Sequence, residues 1–499
     1  MKRNRIRLLI FIMTVSVYSF VQAQNTLTLT LDQTIALAAD SSLEAFRYKN
    51  VYMRSYWEFR SFKAGRLPSL TLNLTPGQYN RSFIQRYDSD SNSDVFRQQQ
   101  SYLANAGLSV AQNFDLLGGT FYMNTSLDYL RNFGANSYAQ YSSIPISISY
   151  RQNLLGFNSF KWETKIEPLK YEKAKKQLVY DLENISEQAV YYFFNLLMAQ
   201  ADYELAVENV RNADTLYANG EKLIQIAAIS RADLSRLELD CLNADIELKT
   251  AEIEVKRTMF ALASFLNMEK NTIIRPIRPG YPRYMEISTE KALAEARINN
   301  PDLLMYEQAV LQNQREVDRL KKESMFSASL TASVGFNQAA RTLSNVFRDP
   351  LRQDIVSLSV SIPLIDWGVK KGRYNMAKND LTVAEIAARQ GEIKVEEDII
   401  MTVDEFNIQK DMIMAAEKAL ELAAINYAET LKRFVSGNVD IDALSLSRQR
   451  QQSANSNYLR VLQNYWYRYL KIRKITLFDF EYNLPISATI ESKYLFINK

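Results

Sequence analysis

Six segments of the chain alternate apolar and polar residues with a period of two, which is the pattern of β-strands with one apolar face. Their apolar positions are Leu70, Leu72 and Leu74; Ala106, Leu108 and Val110; Phe121, Met123, Leu127 and Tyr129; Ile144, Ile146, Ile148 and Tyr150; Phe326, Leu330, Val334 and Phe336; and Val356, Leu358, Val360 and Ile362. The polar positions between them are nearly all Ser, Thr or Asn rather than Lys or Glu. This pattern suits a barrel wall with a polar lumen and a lipid-facing side, although a soluble β-sandwich gives the same alternation.

A helical period begins after the fourth strand segment. Twelve consecutive positions at spacings of four and three carry no charge, which is typical of a coiled-coil seam. They are Leu178, Leu182, Ile185, Ala189, Tyr192, Leu196, Ala199, Tyr203, Ala206, Val210, Ala213 and Tyr217. We predict one helix from about Phe160 to Asn219-Gly220, roughly 90 Å long, and a second from about Leu223 to Leu266. By itself this pattern also fits a filament-like dimeric coiled coil.

The pattern occurs twice, which a simple filament does not explain. Seam positions from Leu196 to Tyr217 recur from Ile413 to Phe434 at a constant offset of 217. We predict a first structural repeat over 24–272 (a helix, β-strands and two long helices), a connector over 273–286, and a second repeat over 287–499 (a helix, two β-strands, two long helices and a C-terminal tail). The first repeat carries an extra strand pair at about 104–129.

Composition excludes most enzyme chemistry. The 499 residues include no His and one Cys, which excludes imidazole catalysis, thiolate metal sites and intramolecular disulfides. The sequence offers no nucleophile–base pair and no phosphate-binding loop. We therefore expect no enzyme activity, no cofactor and no metal site.

The N-terminus predicts export. Lys2, Arg3, Arg5 and Arg7 precede an apolar stretch of about 13 residues, too short to span a bilayer, so residues 1–23 are interpreted as a removed signal peptide. Its removal takes four positive charges from a formal net charge of +4, and the resulting neutrality argues against nucleic acid as a partner. No later segment has 18 uncharged apolar residues, so a membrane role would require β-strands.

Three short motifs characterise the second half. They are Ala292-Leu293-x-x-Ala296-x-x-Asn299-Asn300-Pro301-Asp302-Leu303, the strand exit Ser361-Ile362-Pro363-Leu364-Ile365-Asp366-Trp367-Gly368, and the turn Phe434-Val435-Ser436-Gly437. In their order, spacing and duplication the chain resembles the TolC-like outer-membrane channel proteins of tripartite efflux and type I secretion systems. The first half departs from the pattern, because Asp40-Ser41-Ser42-Leu43 lacks the Asn-Pro and Ile229-Ser230-Arg231 lacks the turn glycine.

The resemblance implies a mixed, mainly α fold: a homotrimer whose strands close one outer-membrane β-barrel, continued by an α-helical coiled-coil barrel in the periplasm. It implies a passive, gated exit duct in the outer membrane, energised by an inner-membrane RND or ABC transporter through a periplasmic adaptor protein. Outer-membrane lipid would surround the barrel. The alternative is a secreted coiled-coil scaffold without channel activity. Neither the exported substrate nor the pump type follows from the sequence.

Candidate gate residues follow from the resemblance. In similar proteins, acidic side chains just past each hairpin turn face the axis at the closed periplasmic end, which here implies Asp233, Asp442 and Asp440 as aperture residues. The alternative role for these acids is favourable interaction with the dipole at a helix start. Gly220, Ser230 and Gly437 are the predicted hairpin tips for adaptor contact.

Aromatic residues near the end of the last helix are predicted to lie at the membrane interface, where amphipathic rings prefer to be. They are Trp466, Tyr467 and Tyr469.

The extra strand pair, Ala104 to Gln112 and Gly119 to Tyr129, admits two arrangements. If both strands join the wall, each chain contributes six strands and a trimeric barrel has about 18. If they stand outside the membrane as a cap, each chain contributes four and the barrel has about 12. We favour the cap, because a helical tunnel beneath would already fix the barrel width.

Overall fold

The computed structural model describes residues 26–90, 92–133, 137–225, 229–270, 272–280, 284–436 and 438–486. The predicted signal peptide and Gly437 lie outside these residues. The chain divides into two compact units. A helical unit comprises 26–52, 175–301 and 394–486 of the described residues, and a sheet unit comprises 53–174 and 302–393. Each unit takes segments from both predicted repeats.

All six predicted strands form, and they pair in a single antiparallel sheet. The strands are β2 (Ser69–Asp88), β3 (Ser93–Phe114), β4 (Gly119–Phe133), β5 (Tyr138–Leu154), β7 (Ser327–Ala340) and β8 (Leu351–Ser361), in the order β2-β3-β4-β5-β7-β8. The predicted cap is therefore wrong, because β3 and β4 lie inside the sheet, hydrogen-bonded to β2 and β5 respectively as well as to each other. Long antiparallel strands satisfy their backbone groups by pairing on both sides, and a separate hairpin would leave them open.

The register places the predicted apolar positions on one face. Leu70 pairs with Val110, Val110 with Met123, Met123 with Ile148, and Ile148 with Val334. Because directly opposed residues share a face, this row crosses five strands on the same side of the sheet. The other side carries mainly Ser, Thr and Asn.

Two prolines interrupt this register at bulges. The pairing of β2 with β3 shifts between Thr75 and Gln78, around Pro76, and the pairing of β5 with both neighbours shifts around Pro145. Proline has no N–H for the ladder and is therefore confined to bulges, edges or strand ends. As a consequence Ile144 pairs with Ser126 and lies on the polar side, although the alternation predicted it on the apolar side.

Nine helices lie in the described residues. They are α1 (Leu31–Ser41), α2 (Leu43–Ala64), α3 (Ser159–Gln225), α4 (Arg231–Phe265), α5 (Thr289–Asn299), α6 (Pro301–Ser324), α7 (Val369–Asn407), α8 (Gln409–Val435) and α9 (Ile441–Thr476). The short strands β1 (Thr26–Leu29) and β6 (Ile273–Pro276) pair in parallel, and β9 (Phe478–Asp479) pairs with β10 (Leu484–Pro485).

The helix breaks of the two halves correspond. Asn300, between α5 and α6, donates its backbone N–H to Ala296 O at 2.8 Å, and Ser42, between α1 and α2, donates to Ala38 O at 3.2 Å. Pro301 opens α6, while in the first half the Ser42 hydroxyl accepts from Ala45 N at 3.1 Å. A serine cap thus replaces the Asn-Pro that the first half lacks.

The seam of α3 forms much of the core of the helical unit. Eight of its twelve predicted positions are buried: Leu178, Leu182, Ile185, Ala189, Leu196, Ala199, Ala206 and Ala213. Phe193, Phe194 and Phe406 add the largest fully buried side chains, and Ile413 and Ala416 are buried at the repeated positions. Since small and branched residues alternate along this seam, neighbouring helices can approach closely.

Candidate functional site

The start of α4 is held by Ser230. Its backbone N–H donates to Asp233 Oδ2 at 3.0 Å and its hydroxyl donates to the same oxygen at 2.6 Å. In return, Asp233 N donates to the Ser230 hydroxyl at 3.1 Å, which completes a capping box. These hydrogen bonds, the side-chain one first, hold the pKa of Asp233 below its ordinary value. Asp233 is therefore ionised and fixed in the first turn of α4.

The start of α9 carries two acids with different roles. Asp440 is the N-cap residue, and its side chain accepts from Ala443 N at 2.8 Å. Asp442 instead forms an ion pair with Arg236 of α4, and both side chains are largely exposed. The acids of the two hairpins thus lie in one region of the helical unit, and Asp442 is the one that connects them.

The predicted hairpin tips need correction at Gly220. Helix α3 does not stop there but continues to Gln225. Gly220 is buried, and a Cβ on it would lie 2.6 Å from Leu237 Cδ1 of α4. Gly220 is therefore a packing contact between α3 and α4 and not a hairpin tip. Ser230 lies at the turn, as the N-cap of α4.

The two hairpins also meet above the turns. Asn212 of α3 donates to the Tyr427 hydroxyl of α8 at 3.1 Å, beside a cavity of about 30 Å³ lined in part by Leu237 and Leu444. Burial raises the pKa of Tyr427, so this contact is made by a neutral phenol. The hydrogen bond joins the first repeat to the second in the same part of the helical unit as the acidic cluster, which consists of Asp233, Asp440 and Asp442.

The aromatic residues of α9 do not form a uniform membrane-interface group. Tyr469 is only 3% exposed and donates to Asp479 Oδ1 at 2.8 Å. The membrane-interface prediction is therefore wrong for Tyr469, since lipid cannot reach it. Trp466 packs against the same core partly buried, whereas Tyr467 remains accessible at 38%.

The bases that follow these rings form a buried ion cluster with α3. Arg473 lies 3.1 Å from Glu183 and 3.3 Å from Asp479, and Lys474 pairs with Glu187. The heptad-like spacing of α9 directs its rings toward Phe406 and its bases toward the acids of α3. This cluster accounts for the mixture of aromatic and basic residues without lipid or nucleic acid.

Two aromatic rows on the sheet were not singled out by the sequence reasoning. At the end of the sheet nearer the helices, Phe121 lies 4.5 Å from Tyr150 and 6.2 Å from Phe114 between ring centroids. At the other end, Tyr129 lies 5.0 Å from Tyr141 and 6.4 Å from Tyr102. The sequence did indicate both rows on β4, because Phe121 and Tyr129 are the first and last residues of the same run of alternating apolar positions.

The described residues contain neither a metal-binding cluster nor a membrane-spanning helix. Among the described residues there is no group of three His, Cys, Asp or Glu side chains placed to hold a metal ion. Cys241 is partly buried, and burial raises the pKa of its thiol. A helix long and apolar enough to cross a membrane is likewise absent from the described ranges.

Comparison with known proteins agrees with this architecture. Residues 292–476 match the family model described as outer membrane efflux protein. No curated protein sequence matches the chain.

Several solved structures have the same fold. The Campylobacter jejuni CmeC outer membrane channel superposes with a TM-score of 0.66 at 13% identity, covering 93% of this chain and 89% of that one. The Vibrio cholerae outer membrane protein VceC gives 0.62 at 12% identity, covering 89% and 95%. The open state of the Neisseria gonorrhoeae MtrE outer membrane channel gives 0.59 at 16% identity, covering 89% and 88%. At these identities the likeness establishes the fold.

Proposed function

We propose that this chain, a TolC-like outer membrane efflux channel protein by its family match and its fold, is the exit duct of a tripartite efflux or type I secretion system. The duct is a homotrimer, passive and gated at its periplasmic end. An inner-membrane RND or ABC transporter supplies the energy through a periplasmic adaptor protein.

The observation that carries the proposal is the sheet with one exposed apolar face and two open edges. Leu72 on β2 and Leu358 on β8 are both exposed, at opposite edges of the sheet. Open edges and an apolar face are unfavourable in water, and lipid tolerates only a closed barrel. Three copies joined β8 to β2 would pair the two open edges over the length of β8 and turn the apolar face to lipid.

The aromatic rows mark the proposed membrane boundaries on this wall. Phe121 and Tyr129 are eight residues apart on β4, about 26 Å along a strand, which is about 20 Å of height for a strand tilted by about 40°. Aliphatic residues lie between them on the same face, including Met123 and Leu127. Outer-membrane barrels have an apolar band of about 25 Å between two aromatic girdles, so these rows are the proposed membrane boundaries.

The acidic cluster beside the hairpin turns is the proposed gate. Arg236 and Asp442 join the two hairpins of each chain, and a trimer would repeat the pair three times around the axis. Exposed pairs contribute roughly 0.2–1 kcal/mol each. Together, three pairs would shift a closed–open equilibrium by about 3-fold to about 150-fold. Ser230 and Gly437 are the proposed adaptor contacts.

Conductance of the purified trimer in planar bilayers tests the proposal. Asp442→Asn and Arg236→Gln should each raise the mean conductance, since either removes the pair while keeping a side chain of similar size. The matched control is Glu421→Gln, which removes an exposed pair with Lys418 (2.7 Å) within α8. A protein that forms no trimer and no pores would instead support the scaffold alternative, and unchanged conductance in both variants would remove the pair from the gate.

A further inference from the structure

Strands β2 and β3 continue beyond the rest of the sheet. Within the part of the chain that the structure describes, the last pair of β3 with β4 is Gln100 with Phe133, but β2 and β3 remain paired to Asp88 and Ser93. In a closed trimer β8, with 11 residues, could cover only part of the 20-residue β2. Residues 81–90 and 92–99 therefore form a two-stranded extension that is longer than the neighbouring strands.

One face of this extension is unusually aromatic. Phe83 pairs with Gln98, Gln85 with Phe96, and Tyr87 with Asp94, which puts the three rings on the same side. Phe83 is 68% exposed, Tyr87 64% and Phe96 74%. An exposed cluster of large rings on so narrow an element indicates a binding surface rather than a core.

The aromatic face is continuous with the apolar face of the sheet. Pairing of β3 with β4 runs without a shift from Phe114 to Gln100, so the even-numbered residues of β3 from Gln100 to Val110 share one side. Phe96 and Gln98 extend the same series along β3. If the apolar face meets lipid, the rings of the extension point sideways over the membrane and not into the pore.

The extension also lies on the outer side of the proposed membrane. The chain passes from β5 to α3 and from β8 to α7 at the opposite end of the strands, near Leu154 and Ser361. The proposed periplasmic helices therefore begin at one end of the sheet, and the Asp88–Ser93 end faces outward.

Polar groups between the rings complete the surface. Gln85, Gln98, Gln100 and Asp94 share the aromatic side, and Gln85 Nε2 donates to Asp94 Oδ2 at 3.2 Å. With its amide oriented to satisfy these donors, the Gln98 oxygen accepts from Arg81 Nε at 2.7 Å and from Arg81 Nη2 at 3.0 Å. Amides can hydrogen-bond hydroxyls, a guanidinium binds phosphate oxygens, and the negative faces of aromatic rings attract the C–H groups of a sugar ring.

We propose that the aromatic face of residues 81–90 and 92–99 binds the phosphorylated saccharide head of the outer-leaflet glycolipid, lipopolysaccharide, that surrounds the channel. The proposal rests on the proposed function, which places the apolar face in lipid and the extension outside. Ring faces stack on sugars, the glutamines bond their hydroxyls, and Arg81 binds a phosphate. The extension thereby anchors the trimer in the outer leaflet.

Photo-crosslinking of the full trimer tests this contact. p-Benzoylphenylalanine is introduced at Phe83, at Phe96 or, as the matched control, at Ile84 on the opposite face. The trimers are reconstituted in vesicles of phosphatidylethanolamine and phosphatidylglycerol with or without rough lipopolysaccharide. Because successive strand residues face opposite sides, adducts with lipopolysaccharide at Phe83 and Phe96 should exceed those at Ile84 by about tenfold or more. Arg81→Gln should lower the yield at Phe83, and dephosphorylated lipopolysaccharide should remove that difference.

Other outcomes overturn the inference. In trimers that conduct normally, any of three results would overturn it. They are equal labelling of both faces, no lipopolysaccharide adduct at Phe83 and Phe96, and adducts with protein instead. Conductance is measured on the same preparations, so a chain that neither trimerises nor conducts identifies failure of the proposed function itself.

Discussion

Glu183 shows how strongly a single buried acid can affect the helical unit. Burial raises the pKa of its carboxyl group, and the neighbouring Arg473 only partly opposes this shift. A raised pKa means that the folded state holds the proton more tightly than the unfolded chain. The stability from this group is therefore fully present below the unfolded pKa, about 4.3, and is lost as the pH rises through the folded value.

We predict that Glu183→Gln flattens the pH dependence of stability. The amide keeps a hydrogen-bond acceptor for Arg473 but has no charge to desolvate. As the pH rises above the unfolded value of about 4.3, the midpoint temperature of thermal unfolding should therefore fall less than in the wild type. The exposed variant Glu421→Gln is the control and should leave the wild-type slope. An unaltered slope in Glu183→Gln would show that the cluster titrates through another group.

For single residues, the sequence predicted the acids near the helix starts but not the residues with which they pair. Asp233 and Asp440 could be predicted to lie near helix starts, where the helix dipole favours negative charge, although the helix that carries Asp233 was predicted from about Leu223 and begins at Arg231. Arg236 could not be assigned to Asp442, since 206 residues separate them and only the packed hairpins bring them together. Tyr469 was misplaced for the same reason, because its neighbour Phe406 belongs to another helix.

The packing of two helices in the sheet unit depends on one glycine. Gly391 of α7 is buried, and a Cβ built on it would collide with the ring of Tyr306 on α6. Glycine inside a helix costs roughly 0.5–1 kcal/mol relative to alanine. Its presence here is explained by the ring that lies against it.

We predict that Gly391→Ala destabilises the wild-type protein but stabilises a variant that lacks the Tyr306 ring. In the wild type, overpacking costs typically 1–3 kcal/mol and should outweigh the helix-propensity gain, so the variant loses stability. In a Tyr306→Ala background the ring is gone, and Gly391→Ala should stabilise by about 0.5–1 kcal/mol. Thermal unfolding of the four proteins measures the cycle, and the same sign in both backgrounds would contradict the packing explanation.

The sequence predicted which helices and strands form better than it predicted where they begin and end. Alternation identified all six strands because one face of each is apolar, but it could not locate the shift at Pro145, where the pairing of two other strands decides the register. The seam likewise identified α3. Its end was placed too early at Gly220, since a glycine that normally ends a helix is used there for close packing with Leu237.

For the whole molecule, the sequence predicted the extra strands but not where they lie. The width of a helical tunnel, for which the cap was favoured, does not fix the position of β3 and β4. Their backbone hydrogen bonds do, because these are satisfied on both sides only within the sheet. Six strands per chain then give three times six, or about 18 strands, for a trimeric barrel.

The wider barrel predicts which side chains meet lipid on the inserted strands. Leu108 is on the apolar side of β3 and 42% exposed, while the next residue, Ser109, faces the opposite side. In an otherwise cysteine-free trimer (Cys241→Ser) in vesicles, Leu108→Cys should react with a lipid-soluble maleimide and resist a membrane-impermeant one. Ser109→Cys should show the reverse, because successive strand residues alternate between lipid and lumen. Equal reaction of both with the impermeant reagent would mean that β3 stands in water, and the barrel would then have fewer strands.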